Sequence, residues 1–179
     1  MRTRYKFIDL QNKIYFLTMT VIGKIPIFTN SRYADIIIKN FRFYREKQSL
    51  KIFYYVIMDN HIHLIVSHPE NIRQIMQNLK SYTARELINT LKSDNREWIM
   101  YLLQYFKSKY KSGSKYQFWE EGSHPQIIES MKILRQKVEY IHNNPVKRGL
   151  VKKPEDWRYS SASNIAGIGN VFDIDVLEM

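Results

Sequence analysis

The chain contains no cysteine. That excludes a disulfide framework and every thiolate metal site, zinc fingers included, so a metal could sit only on imidazole, carboxylate, amide or water. Acidic residues are scarce: 17 Asp and Glu stand against 28 Lys and Arg, a formal net charge of +11. So much positive charge on a small chain points to a polyanionic partner, nucleic acid first, although a charged surface serves solubility equally well. No apolar run reaches membrane-spanning length, and the basic start MRTRYKFIDLQNK leads into no signal-type apolar core. A cytoplasmic protein with no membrane partner is the expectation. No internal repeat or linker-like stretch divides the 179 residues, so one domain is expected over 1–179, with a basic tail from about residue 146.

What is present is globular in kind. Hydrophobic residues make up 44% and charged residues 25%, which argues against disorder. Aromatics reach 14%, with 13 Tyr, and rings beside Lys and Arg are what unstacked bases require.

Periodicity gives the order of elements. Lys13 to Gly23 is rich in β-branched and aromatic residues and reads as a first strand. Residues 28–48 begin with the cap-type Thr29, Asn30 and Ser31 and space Ile36, Ile37, Phe41 and Tyr44 as one helical face. Lys51–Met58 and His61–Ser67 read as two strands joined by an Asp59-Asn60 turn. A second helix is expected over 71–91, another over 94–109, a short strand near Gln126–Ile128, and a helix from Ser130 that Pro145 stops. The resulting β-α-β-β-α-β order predicts an α+β, ferredoxin-like antiparallel sheet with helices on one face. The opposite face would be open to ligands.

Strand side chains alternate, so His61 and His63 project from one face while Ile62 and Leu64 enter the core. Two neutral imidazoles so placed can hold a divalent metal, or simply form a hydrogen-bonded pair. Tyr140 and Asn144, four apart on the last helix, share a face and can address one site. Equally, Tyr140 can pack and the Asn143-Asn144-Pro145 run can be a helix stop.

The combination is more specific than its parts. The stretch YYVIMDNHIH, followed by YIHNNPVKRGL and then PEDWRYSS, resembles the REP-associated tyrosine transposases, a branch of the HUH single-strand (IS200-like) transposases. The resemblance implies His61, His63 and Asn144 as metal ligands, Tyr140 as the catalytic nucleophile on the last helix, and Mg²⁺ or Mn²⁺ as cofactor. It implies a single-stranded or hairpin DNA substrate and a monomer or homodimer. The activity would be nicking and joining of DNA through a 5′-phosphotyrosyl intermediate. One departure is visible: Asp59 stands where the family usually has proline.

Two basic clusters are candidates for DNA contact. Lys147, Arg148, Lys152, Lys153 and Arg158 follow Tyr140, and Lys107, Lys109, Lys111 and Lys115 lie in a tyrosine-laced loop. Helix residues Lys80, Tyr82 and Arg85 read as ordinary surface, and His68, His124 and His142 as non-ligands. A rival reading keeps the fold and the basic surface as a nucleic-acid-binding regulator without chemistry, and another replaces the tyrosine by a metal-activated water.

Overall fold

Alternation along β1 (Tyr15–Thr20) decides which side of the sheet meets the main core. Tyr15, Leu17 and Met19 are buried with the core helices, while Phe16 belongs to a second cluster on the opposite face. The computed structural model describes residues 13–108, 112–122 and 125–177. β2 (Lys51–Ile57) and β3 (His61–Ser67) form the expected hairpin, and β4 is only Gln126–Ile127. The strand order is β2-β3-β1-β4, antiparallel throughout, which is the ferredoxin-like arrangement expected from the element order. A bulge between Ile52 and Tyr54 resets the alternation of β2, so Ile52, Tyr55 and Ile57 all reach the main core while Phe53 and Val56 join the other cluster.

On the main-core side lie α1 (Ser31–Lys47), α2 (Ile72–Ser93) and α3 (Glu97–Tyr105). Asn30 caps α1 by accepting from the backbone N–H of Arg32 at 3.0 Å, and Asn71 caps α2 through Gln74 at 2.8 Å. β1 stops at Thr20, short of Gly23, because two 3₁₀ turns at Ile22–Lys24 and Ile27–Thr29 redirect the chain before α1. Gly23 is required there: its φ is 62°, and a Cβ would run into the Phe106 ring.

The expectation of helices on one face needs correction. α4 (Met131–Lys147) lies across the opposite face, where Leu134 and Ile141 pack on Phe16, Phe53, Val56, Met58 and Ile65. The physical reason is in β3, where every residue from Ile62 to Val66 is buried; a strand apolar on both faces must be covered on both. Leu64 is 0% exposed, and truncating such a residue to Ala costs about 2–5 kcal/mol.

Pro145 does not stop α4, which continues to Lys147. It forfeits only the bond its own N–H would have made, and the helix ends in a Schellman turn at Gly149 (φ 69°). There Leu150 N–H donates to Pro145 O at 3.0 Å and Gly149 N–H to Val146 O at 2.9 Å. A five-residue helix, α5 (Ala162–Ala166), follows, so Tyr140 sits on the last long helix rather than the last one. Residues 159–161 run back along β2, Ile57 N–H donating to Tyr159 O and Ser161 N–H to Tyr55 O.

Candidate active site

β3 and β1 are in register, placing Thr18 opposite His63 and Thr20 opposite His61. The two imidazoles project from the face that α4 covers, with ring centroids 4.7 Å apart. Each is held by one nitrogen. Thr18 Oγ1 lies 2.9 Å from His63 Nδ1, and Asn60 Oδ1 lies 2.7 Å from His61 Nδ1. Because an amide oxygen only accepts, His61 Nδ1 carries the proton and its Nε2 keeps a lone pair. His63 Nε2 is buried and has no hydrogen-bond partner among the described residues, a costly state for a polar atom unless a ligand completes it.

Burial pushes the His63 pKa down to about 3, with neighbouring His61 and Lys137 adding to the fall. His61 is lowered as well, chiefly by burial; Asp59 opposes the shift, and Arg148 and Lys24 reinforce it. Both rings are therefore neutral near pH 7, the form in which imidazole binds metals.

α4 brings Tyr140 onto the pair. Its ring centroid is 5.1 Å from that of His63 and 6.0 Å from that of Phe16, and Phe16 stacks on His63 at 5.4 Å. Tyr140 is nonetheless 43% exposed, so a bulky substrate can reach this side chain. Asn144 lies one turn further along α4 and is buried, on the same helix face as Tyr140. The two imidazoles, with the orphaned Nε2 of His63 among their nitrogens, fit a divalent ion that takes its remaining positions from oxygen donors.

The basic residues fall out differently from one another. Lys147, Lys152 and Lys153 are exposed around the end of α4. Arg148 is engaged in a two-point ion pair with Asp59, at 2.9 and 3.1 Å. The Asp59 carboxylate thus ties the β2–β3 turn to the end of the tyrosine helix. Arg158 lies over the Tyr159 ring at 5.5 Å, and Lys115 over Tyr116 at 5.4 Å. Lys107 is half-buried; Lys109, Lys111 and His124 lie outside the described residues. His68 accepts from the backbone of Glu70 and Asn71 at 3.1 and 2.9 Å, and His142 sits 2.9 Å from Ser161 Oγ.

Four residues near the pair were not singled out from the sequence: Phe16, Thr18, Asn60 and Lys137, whose Nζ lies 4.6 Å over the Phe16 ring. Lys137 had a signal, since it precedes Tyr140 by three on one helix face. Thr18 had a weaker one, a polar residue alternating with Leu17 and Met19.

Residues 10–115 match the family model described as "Transposase IS200 like", more than half of the chain. The chain belongs to this family of IS200-like transposases. A protein of Haemophilus influenzae named as a REP-associated tyrosine transposase is 33% identical over 112 residues, 59% of this chain and 54% of the relative. The chain thus matches about half the length of that relative. Among solved structures, a REP-associated tyrosine transposase bound to a REP hairpin superposes with a TM-score of 0.65 at 19% identity, covering 99% of this chain and 94% of the other. A protein of Deinococcus radiodurans described as a transposase gives 0.49 at 17% identity, over 80% and 96%. The family match takes in His61 and His63 and ends before α4, so Tyr140 and Asn144 rest on their position in the fold.

Proposed function

We propose that this chain is a metal-dependent endonuclease and strand transferase for single-stranded DNA, acting through Tyr140. The observation that carries the reading is the placement of an accessible phenol beside two neutral imidazoles, with the His63 ring 5.1 Å away. The Tyr140 oxygen attacks a backbone phosphorus, the bond from phosphorus to the 3′-oxygen breaks, and the phenol's proton ends on the departing 3′-oxygen. The products are a 5′-phosphotyrosyl enzyme and a free 3′-OH. Because the covalent bond conserves the phosphodiester's energy, attack by a 3′-OH in reverse joins strands without ATP. His61, His63 and Asn144 would hold Mg²⁺ or Mn²⁺, which would supply polarisation of the phosphate toward attack by the phenol oxygen. Thr18 and Asn60 fix the two imidazoles through their other nitrogens. Lys137, one turn before Tyr140, offers a cation to the phosphate or to charge developing on the phenol.

The substrate proposed is hairpin-forming repeat DNA. Support comes from the charge of +11 and from the shared fold of the transposase bound to a REP hairpin. With Mg²⁺ and a labelled hairpin strand, a covalent protein–DNA adduct is expected; EDTA should prevent it. Tyr140→Phe should bind the hairpin with parental affinity and form no adduct. Cleavage by Tyr140→Phe at the parental rate would remove the tyrosine from the mechanism in favour of an activated water.

A further inference from the structure

α3 carries an arrangement that the proposed chemistry does not use. Its buried stripe is Met100 and Leu103, at 8% and 0% exposed. The outward face is not polar, as a surface helix requires, but aromatic: Trp98, Tyr101 and Tyr105 are 68%, 53% and 67% exposed. The three rings form a ladder. Trp98 stacks on Tyr101 at 5.4 Å and 19°, and Tyr101 on Tyr105 at 6.0 Å and 26°. From Trp98 to Tyr105 the helix rises about 10 Å, the length of about three stacked nucleotides.

Cations flank the ladder. Lys107 follows it, and the segment carrying Lys115 and Tyr116 is tied to the same helix end, Gln117 N–H donating to Leu103 O at 3.3 Å. Lys92 and Lys115 both stand over the Tyr116 ring, at 5.2 and 5.4 Å. Glu97 is the one acidic side chain on α3.

The ladder also leads to the histidines. Tyr105 abuts Phe106 at 5.1 Å, and Phe106 packs on Gly23. The neighbouring Lys24 carbonyl accepts from the Asn60 side chain at 3.1 Å, and Asn60 in turn holds His61.

From the ladder, its flanking lysines and this continuity we infer that α3 is a stacking track for unpaired nucleotides of single-stranded DNA flanking a hairpin stem, running toward the histidine pair. The inference rests on the proposed reading of the chain as a DNA-processing enzyme. Base stacking on exposed rings tolerates any sequence, and the lysines beside it meet the phosphates.

The test compares two hairpins with the same stem, one blunt and one with a short unpaired extension, by fluorescence anisotropy. Trp98→Ala with Tyr101→Ala should weaken binding of the extended hairpin roughly tenfold or more and leave the blunt one unchanged. Trp98→Phe with Tyr101→Phe should retain affinity, because the rings remain. Equal affinity of the alanine pair and the parent for the extended hairpin would overturn the track, as would an equal loss on both hairpins. So would a parent dimer that the alanine pair converts to monomer without change in DNA affinity, since the face would then join two copies. A parent that binds neither hairpin nor single strand removes the DNA reading itself, and the track with it.

Discussion

Each histidine of the pair is steered by a neighbour that never needs to touch DNA. Thr18→Val keeps the shape and strand preference of residue 18 but deletes the hydroxyl beside His63 Nδ1. Adduct formation should fall about 10–100-fold while hairpin affinity holds; an unchanged rate would show that the bond does not orient the ring. Asp59 works in the opposite sense, since it occupies the guanidinium of Arg148. Asp59→Asn should release Arg148 to the DNA backbone, tightening hairpin binding and steepening its salt dependence by about one further phosphate. Without the ion pair, stability should fall by about 0.2–1 kcal/mol, since both partners keep solvent access. Unaltered binding would mean that Arg148 faces away from the DNA. The histidine pair was legible because a strand's period of two is local, and so was the spacing of Tyr140 and Asn144. Thr18 and the Asp59–Arg148 pair were not, because a cross-strand register and an ion pair across 89 positions depend on the finished fold.

Elements were legible where hydrophobic period and cap agreed. β3 has the bounds read from its sequence, and α1 starts at its Asn30 cap. β1 ends before its strand-like sequence does, because Val21 and Ile22 are turned aside at the Gly23 bend, and α4 outruns the proline in its sequence because the glycine beyond it, not the proline, ends the helix. Gly149→Ala should cost about 1–2 kcal/mol in urea unfolding, since none of the described residues crowds a Cβ there and only the left-handed backbone is penalised. A smaller loss would show that the turn relaxes. The segment packed on β2 carries its own pH response. Burial, then a hydrogen bond to Asp35 at 2.8 Å, raises the Tyr159 pKa to about 12. A phenol raised above its unfolded value of about 10 contributes stability below that pH and loses it as pH climbs toward 12. Tyr159→Phe should therefore flatten the fall in stability between those values, measured by thermal melts along a pH series; an identical profile would move the alkaline response elsewhere.

Across the whole molecule the charge of +11 sets how binding answers to salt. Replacing Lys147, Lys152 and Lys153 with glutamine should weaken hairpin affinity and lower the log–log salt slope by about 0.7–0.9 for each phosphate left unneutralised; an unchanged slope would locate the DNA on another face. The sheet's outer strand has a different vulnerability. β2 would present a row of free N–H and C=O groups, but Tyr159, Ser161 and Asp175 of the same chain bond to Ile57, Tyr55 and Ile52 along it. Trp157 Nε1–H adds a bond to Ile57 O at 2.9 Å. The Trp-x-x-Ser-Ser stretch thus acts as a built-in guard against polymerisation, occupying the edge onto which another copy's strand would otherwise add. A chain cut before Trp157 should scatter light increasingly with concentration and time while the intact chain stays clear.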